Sequence, residues 1–378
     1  MRRIQSPFRY PWREHNRLEL LVDGEMFFPA MLQAIAQARH YILLEFYLFE
    51  SGSIANRFIL ALIHAAQRGV AVHLLLDDFG ARKLLSVDRQ RLHAAGVQFA
   101  WYNPLHYGKW RRNLFRDHRK LLLIDGIVGF TGGTGLTDAF DSSGKPLAWH
   151  EVMLVFRGPV VQDWQDMFLD NWQRQTRQEL SLHTPLALPD SDAARARLVL
   201  NSPGRAEIKR SLLRQLDQAG ERIWLATAYF IPSWKIRRRL RRAARRGVDV
   251  RLLLPGQHTD HPAVRHAGRR YYANLLRHGI RIFEYQPRFL HAKIQLCDEW
   301  VSIGSSNIDR WNLRWNLEAN LESECSGLAR RVEALFELDF AQSEEMHLYN
   351  WHARPWYRQI QERFWGWVDR WLEKMGQR

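Results

Sequence analysis

Cysteine and long hydrophobic runs are both scarce in this sequence. The 378 residues include two cysteines, Cys297 and Cys325, so a framework of several disulfide bonds is excluded. The longest hydrophobic run, from Tyr41 to Phe49, is interrupted by Glu45 and is shorter than the ~20 residues that a membrane-spanning helix needs. The first residues also lack the apolar segment of a signal peptide. We therefore expect a protein that is cytosolic or lies on a membrane without crossing it.

Lysine is scarce too, although the chain is strongly basic. The formal net charge is +15, and of the 55 basic residues eight are lysines and 47 are arginines. Such a charge predicts a polyanionic partner, which is either nucleic acid or an anionic membrane surface. Because lysine is so rare here, a lysine at the same position of a repeated motif indicates a need for a compact ammonium group instead of a planar guanidinium.

Two of the lysines belong to a motif that occurs twice. Its positions are His118, Lys120 and Asp125 in the first copy and His291, Lys293 and Asp298 in the second. In each copy the histidine and the lysine lie two residues apart in an apolar, β-branched run that predicts a strand, so their side chains share a face. Two such faces brought together would form a pocket of two imidazoles and two ammonium groups. That pocket suits a phosphate that one histidine attacks while the other transfers a proton.

The motif is part of a longer internal repeat. Residues 65–76 match residues 243–254 almost residue for residue, and strands alternate with helices in both halves. This order predicts α/β units around a parallel or mixed sheet that is buried on both faces. We predict two tandem α/β domains, residues 1–190 and 191–345, related by a pseudo-twofold axis with the active site at their interface. Residues 346–378 form a separate C-terminal segment.

The paired motifs resemble those of the phospholipase D superfamily. Within it, the chain is similar to bacterial cardiolipin synthases of the type without transmembrane helices. The similarity covers nearly the whole chain. It rests on both motifs and on Gly132-Gly133, Gly304-Ser305-Ser306-Asn307, Glu45-Phe46-Tyr47, Thr259-Asp260-His261 and Asn316-Leu317-Glu318-Ala319-Asn320. The resemblance implies two phospholipase D-like domains and a phosphatidyltransferase activity.

The resemblance also implies a two-step transfer. His118 would attack the phosphodiester and form a phosphohistidine. His291 would protonate the leaving alcohol and then take a proton from the incoming hydroxyl, which requires one neutral and one charged imidazole at the start. Lys120 and Lys293 would neutralise the non-bridging oxygens. No metal ion or other cofactor is expected.

Four further residues are candidates for contact with the substrate. Ser305 and Asn307 lie in the turn after the second motif, and Asn307 has no counterpart after Gly132-Gly133. Glu151 and Glu318 lie downstream of the two motifs. Each carboxylate could fix the tautomer of a histidine by accepting from one ring nitrogen; the alternative is that both are ordinary acids at strand ends.

The motif aspartates complete the catalytic set that we predict, but with a different role. Asp125 and Asp298 each lie an odd number of residues from the lysine of their motif, so alternation puts them on the opposite face of the strand. Asp125-Gly126 is also typical of a hairpin turn. We expect both aspartates mainly to support the turn and the strand that carries the lysine.

The motif does not decide where the phosphatidyl group goes. We expect transfer to a lipid alcohol such as phosphatidylglycerol, whereas a phospholipase D-type hydrolase of the same fold would use water. The net charge also permits a nuclease or nucleic-acid binder. A non-enzymatic membrane scaffold would leave the paired motif unexplained.

Two segments favour a phospholipid partner over nucleic acid, and a third would attract anionic lipid. Residues 105–116 form a basic, aromatic insertion before the first motif, which could dip into lipid headgroups or be an ordinary surface loop. Residues 234–246 form a predicted amphipathic helix whose arginines are unbroken by acids; they attract anionic lipid or form a solvated face. Tryptophans and other apolar residues recur at three or four positions between Trp356 and Trp371, with arginines between them, which fits an interfacial helix or core packing. We expect a peripheral protein on the cytoplasmic face of the membrane, with phospholipid substrates and no nucleic-acid partner.

Overall fold

The computed structural model describes residues 8–106, 108, 112–182, 194–310 and 315–352. The strands of the first half are β1 (Arg13–Val22), β2 (Tyr41–Phe46), β3 (Ala71–Asp77), β4 (Gln98–Tyr102), β5 (Lys120–Ile124), β6 (Val128–Gly132) and β7 (Val152–Arg157). Its helices are α1 (Asp23–Gln37), α2 (Ser53–Gln67), α3 (Ser86–Ala94) and α4 (Val160–Thr176), with short 3-10 turns at Arg112–Leu114 and Asp138–Phe140.

The second half follows a similar order. Its strands are β8 (Ala194–Ser202), β9 (Arg205–Ala206), β10 (Arg222–Ala226), β11 (Phe230–Ile231), β12 (Asp249–Pro255), β13 (Arg281–Tyr285), β14 (Ile294–Cys297), β15 (Trp300–Gly304), β16 (Ile308–Asp309), β17 (Glu318–Glu324) and β18 (Ser343–Met346). Its helices are α5 (Glu207–Gln218), α6 (Trp234–Arg245), α7 (Pro262–Arg269), α8 (Tyr272–Leu276), α9 (Ser326–Ala341) and α10 (Leu348–His352).

One mixed sheet runs through both halves. From the centre outwards the first half has the order β1-β7-β6-β5-β2-β3-β4, and the second has β8-β17-β15-β14-β10-β12-β13 with β18 added at the edge. The two runs meet where β1 pairs antiparallel with β8. In each half the three outer strands of the repeat are parallel and the inner ones antiparallel. This duplicated order confirms the predicted α/β fold with two related halves.

Helices cover both faces of the sheet. On one face α4 contacts β7 and β8 while α9 contacts β1 and β15, so each of these helices packs on both halves. They share a hydrophobic cluster that includes Leu43, Trp164, Leu198 and Phe336. On the other face, α1 and α2 cover the first half and α5 and α6 the second, each pair with its own cluster. The strands are therefore buried apolar runs, because both of their faces pack against helices.

The motif histidines lie just before their strands, not inside them as predicted. Strand β5 begins at Lys120 and β14 only after Lys293. The segments in front of them form isolated parallel bridges with the other half, Asp117 with Leu317 and Leu290 with His150. The prediction failed here because the segments that carry the histidines pair with the other half, and not with the strands next to them in their own half.

Several sequence predictions fall partly or wholly outside the described residues. The boundary between residues 190 and 191 lies there, as do part of the insertion at residues 105–116 and the C-terminal stretch from Trp356 to Trp371. The domain limits 1–190, 191–345 and 346–378 stay a prediction. No helix among the described residues is long and apolar enough to cross a membrane.

The motif aspartates bind backbone amides far from the histidines. Asp125 accepts hydrogen bonds from the backbone N–H groups of residues 39, 40 and 41, each at 2.8 Å. Asp298 accepts from those of residues 220, 221 and 222 at 2.9–3.0 Å. Lys120 is the first residue of β5 and Asp125 follows the last one, so the two are about 16 Å apart along the strand. The two aspartates therefore do not belong with the catalytic residues among which we predicted them. Each ties a hairpin turn to the start of β2 or β10, which is the supporting role that alternation indicated.

Replacing Asp125 with alanine should destabilise the fold. The change removes the acceptor of three backbone N–H groups from a side chain that is 4% exposed. We expect the free energy of unfolding, measured by urea denaturation, to fall by about 3 kcal/mol. Asp298→Ala is the matched comparison and should cost less, because Asp298 is more exposed. Unchanged stability of Asp125→Ala would contradict the supporting role.

Candidate active site

The two motifs come together where the halves meet. The backbone N–H of His118 donates to the carbonyl of Leu317 at 2.9 Å, and that of His291 donates to the carbonyl of His150 at 2.8 Å. Each histidine is therefore positioned by the opposite half. The charge of Lys293 acts on His118 and that of Lys120 acts on His291, so the four motif side chains form one cluster.

A carboxylate from the opposite half binds each histidine. His118 Nδ1 lies 3.1 Å from Glu318, and His291 Nδ1 lies 2.6 Å from Glu151 Oε2. Both glutamates are fully buried. A ring that donates its Nδ1 proton to this carboxylate leaves Nε2 available to react. The orienting role predicted for the glutamates thus fits the geometry. Both oxygens of Glu151 already accept hydrogen bonds, so this carboxylate is not open to a substrate. Oε1 of Glu318 has no hydrogen-bond partner among the described residues, and its contact with a substrate stays a prediction.

The turn residues beside the glutamates differ between the halves. Ser305 Oγ donates to Glu318, so this hydroxyl supports the Glu318–His118 pair and is not directed at a substrate as predicted. At the equivalent place stands Gly133, where an added Cβ would lie 2.0 Å from Glu151 Oε2. Glycine is needed there because Glu151 occupies the space of a side chain.

Asn307 has the free donor that a phosphate site needs. Its Oδ1 accepts from the hydroxyl of Thr227 at 3.2 Å, while its Nδ2 is buried without a hydrogen-bond partner. A buried amide donor is costly unless a ligand oxygen binds it. Thr134 in the first half bonds the carbonyl of Gly135 at 3.2 Å instead. The geometry therefore fits Asn307, and not Thr134, as a phosphate contact.

Both motif lysines are buried beside their histidines. Lys120 Nζ donates to the carbonyl of His118 at 2.5 Å, and Lys293 Nζ lies 2.9 Å from His291 Nδ1 and 3.4 Å from Glu151. Burial lowers the pKa of Lys120 to about 7, against the opposing effect of Glu318. Burial likewise lowers the pKa of Lys293, and Glu151 opposes it. An anionic phosphodiester bound here would favour the charged form of both lysines.

Burial also lowers the pKa of both histidines. For His118 the effect is opposed by Glu318, and for His291 it is reinforced by Lys293. Three aromatic rings contact His291: Phe140, Trp149 and Phe289, with ring centroids 5.1–5.6 Å away. Among the described residues, His118 contacts one ring, that of Tyr47, at 5.0 Å. The two imidazoles are thus equivalent in the repeat but not in their surroundings.

A buried histidine that the sequence analysis missed links the two halves behind His291. His150 Nδ1 lies 2.9 Å from Asp23 and its Nε2 lies 3.2 Å from Asp339. Arg288 also donates to Asp23, and the His150 ring stacks on Tyr285. Burial lowers the pKa of His150, but Asp23 and Asp339 outweigh it and raise the pKa to about 9. The only signal in the sequence was its position next to Glu151.

Among the described residues, we find no cluster of three or more histidine, cysteine, aspartate or glutamate side chains that could hold a metal ion. The cationic groups at the centre of the site are Lys120 and Lys293, together with whichever imidazole is protonated. What the arrangement can do is bind an anionic phosphodiester, present a nucleophilic Nε2 and move a proton at a second Nε2.

The charge of His150 should make stability depend on pH. Its folded pKa of about 9 lies above the ordinary value near 6.5, so the stabilisation is fully present below about pH 6.5 and is lost as pH rises through about 9. The lowered pKa of Lys120 makes its own contribution to stability rise with pH over an overlapping range. The quantity to compare is therefore the difference in the free energy of unfolding between the wild type and His150→Gln. In urea denaturation this difference should shrink by on the order of 3 kcal/mol between about pH 6 and pH 10. A difference that does not change with pH would show that His150 is neutral.

Comparison with known proteins places the chain in a family. A family model described as "Cardiolipin synthase, PLD-like domain" matches residues 31–172 and 212–340. Cardiolipin synthase A of Pseudomonas aeruginosa is 36% identical over 348 residues, which cover 89% of this chain and 69% of that protein. Cardiolipin synthase B of Escherichia coli strain K12 is 36% identical over 320 residues, covering 80% of this chain and 75% of that protein.

Two solved structures share the fold. Phosphatidylserine synthase from Haemophilus influenzae Rd KW20 superposes with a TM-score of 0.69 at 12% identity, covering 93% of each chain. Polyphosphate kinase from Porphyromonas gingivalis superposes with a TM-score of 0.61 at 14% identity, covering 88% of this chain and 49% of that one. Because one family model matches both halves, and two relatives are 36% identical over most of the chain, the protein belongs to the cardiolipin synthase family with phospholipase D-like domains.

Proposed function

We propose that this protein is a phosphatidyltransferase that moves a phosphatidyl group from one phospholipid to the hydroxyl of a lipid alcohol, such as phosphatidylglycerol, to make cardiolipin. The observation that carries the proposal is the crossed pairing of His118 with Glu318 and of His291 with Glu151 around two buried lysines. Membership of the cardiolipin synthase family supports phospholipids as the substrate class.

In the first half-reaction His118 Nε2 attacks the phosphorus atom. The bond from phosphorus to the headgroup oxygen breaks, a bond to nitrogen forms, and His291 gives its proton to the leaving alcohol. Glu318 accepts from Nδ1 of the attacking ring and stabilises the positive charge that develops there. We assign the nucleophile to His118 and the acid to His291 on the family resemblance.

In the second half-reaction the neutral His291 removes the proton of an incoming lipid hydroxyl. Its oxygen attacks the phosphohistidine, the bond from phosphorus to nitrogen breaks, and His118 is regenerated. Glu151 keeps the Nδ1 proton of His291 in place, so Nε2 is the nitrogen that gains and loses the mobile proton. Lys120, Lys293 and the Nδ2 of Asn307 stabilise the charge on the non-bridging oxygens in both steps.

The proposed reaction can be tested with purified protein and vesicles of phosphatidylglycerol, with products identified by mass spectrometry. We expect cardiolipin and glycerol, and we expect His118→Ala and His291→Ala each to lower the rate about 10⁴-fold or more. His93→Ala, at an exposed histidine on α3, is the matched control and should keep its activity.

Three results would contradict the proposal in different ways. Phosphatidic acid as the main product would identify a hydrolase. Cleavage of DNA with intact lipid would identify a nuclease. Activity that survives either histidine substitution in the site would exclude the two-histidine mechanism.

We further propose that the protein docks on anionic phospholipid at the cytoplasmic face of the membrane through α6. The sequence predicted this amphipathic helix, and Ile236, Leu240 and Ala243 are buried in it. Its exposed side carries a stripe of cations: Lys235, Arg238, Arg242 and Arg245. Trp234, 56% exposed, lies at its start with Arg238 over the ring.

The start of α6 lies beside the site. Strand β11, three residues before α6, pairs with β16, which directly follows Asn307. The first turn of α6, with Trp234 and Lys235, is therefore the part of the helix that adjoins this pairing. Together with the net charge of +15, this position supports a lipid surface as the partner.

Neutralising the stripe should weaken membrane binding. The triple variant Arg238→Gln, Arg242→Gln and Arg245→Gln removes three exposed charges, each worth about 1 kcal/mol at an anionic surface, so vesicle affinity should fall roughly a hundredfold in co-sedimentation. The matched control changes Arg57, Arg177 and Arg330 to glutamine. These are also exposed, but Arg57 lies on α2, Arg330 on α9 and Arg177 directly after α4. An equal loss in both triple variants would mean that net charge, not α6, determines binding.

A further inference from the structure

The segment that follows β10, from Thr227 to Tyr229, leaves the sheet beside the second motif. Ala226 pairs with Ile294 across β10 and β14, which brings the following residue, Thr227, level with Lys293. The hydroxyl of Thr227 lies 3.2 Å from Oδ1 of Asn307 and 3.1 Å from the carbonyl of Tyr229. One side chain thus connects the backbone of Tyr229 to the amide that we assign to the phosphate.

Tyr229 positions the carboxylate of Asp260 near the second motif. Its hydroxyl donates to Asp260 Oδ2 at 2.6 Å, and Asp260 comes from the loop after β12. Burial, and then the charge of Asp260, raise the pKa of Tyr229, which keeps this hydroxyl a donor. His261 also approaches Oδ2, at 3.7 Å. Oδ1 is left to accept hydrogen bonds from a ligand.

Asp260 is close enough to act on the reacting groups. Burial lowers the pKa of both His291 and Lys293, and the charge of Asp260 opposes that effect in each. Its side chain is 22% exposed, so it is neither a buried ion-pair partner nor a freely solvated surface acid. A carboxylate at this position repels the phosphate of a substrate, and it favours binding only if the substrate also brings hydrogen-bond donors.

The charged groups around Asp260 determine which hydrogen-bond donor of a substrate fits there. A headgroup ammonium would gain from Asp260 but would be repelled by Lys293 and by any charge on His261. Neutral hydroxyl groups can donate to Asp260 Oδ1 and accept from the nearby cations, so they satisfy both signs of charge. The carboxylate therefore suits a polyol.

We propose that Asp260, held by Tyr229, forms a subsite for the hydroxyl groups of a polyol headgroup, such as the glycerol of phosphatidylglycerol. This rests on the proposed function and names the headgroup it uses. In the first half-reaction the subsite holds the glycerol that leaves, and in the second it holds the glycerol of the acceptor lipid. In both, it places the reacting oxygen next to His291, the group that transfers the proton.

The test uses lipids that differ only in the headgroup. Phosphatidylglycerol, phosphatidylpropanol and phosphatidylethanolamine with the same acyl chains are presented in mixed micelles to the wild type and to Asp260→Asn, and headgroup release is measured. We expect the wild type to prefer phosphatidylglycerol. In Asp260→Asn the ratio of kcat/KM for phosphatidylglycerol to that for phosphatidylpropanol should fall about ten- to a hundredfold. Tyr229→Phe, which releases Asp260, should lower the ratio less.

Two outcomes would overturn the inference. An unchanged ratio in Asp260→Asn, with both rates lowered equally, would show that Asp260 only balances the charge of His291 and Lys293. A wild-type preference for phosphatidylethanolamine would show that the subsite takes an ammonium group. Asp78→Asn is the matched control, since Asp78 lies in the corresponding loop after β3 and accepts from the N–H of Leu105; its ratio should equal that of the wild type.

A binding measurement separates this inference from the proposed reaction. Glycerophosphoglycerol and glycerophosphopropanol, the soluble counterparts of two of the lipids, are titrated into each variant by calorimetry. Selective loss of glycerophosphoglycerol affinity in Asp260→Asn would support the subsite even if no cardiolipin were formed. Equal affinity of the wild type for both compounds would overturn the subsite even if cardiolipin were formed.

Discussion

The hydrogen bonds that His118 and His291 make to glutamates of the opposite half are the contacts on which the site depends. Glu151 and Glu318 are fully buried, and Lys120 and Lys293 nearly so. Buried ionisable groups are tolerated only when they are paired. Each histidine finds its carboxylate partner in the opposite half, so the site is complete only when the halves are docked. The continuous sheet and the helices α4 and α9, which pack on both halves, fix that docking.

The repeat gives the site two similar ends, and the differences between them allow two roles. Glu318 is held by the hydroxyl of Ser305, whereas Glu151 occupies the space left by Gly133. The charged His150 links the halves behind His291 alone. On the other side, the charge of Asp260 opposes the effect of burial on the pKa of His291. A reaction in which one histidine is a nucleophile and the other an acid and base needs such inequality.

Much of the fold and the central site could be predicted from the sequence. The helices and strands followed from periodicity, the two halves from the repeat, and the four motif residues from their spacing. Alternation along a strand also indicated that Asp125 and Asp298 point away from the phosphate. What local pattern could not give was the start of the motif strands, because the segments before β5 and β14 pair with the other half.

The sequence by itself determined which chemical groups are present and which way the motif aspartates point, since these depend on residue type and on the period of two along a strand. Only the tertiary structure decided their partners. Glu151 belongs to His291, Glu318 to His118, and Ser305 to Glu318, while His150 joins Asp23 and Asp339 behind the site. The reason is physical: hydrogen bonds and charges act through space over a few ångströms, and the residues concerned lie up to two hundred positions apart in the chain.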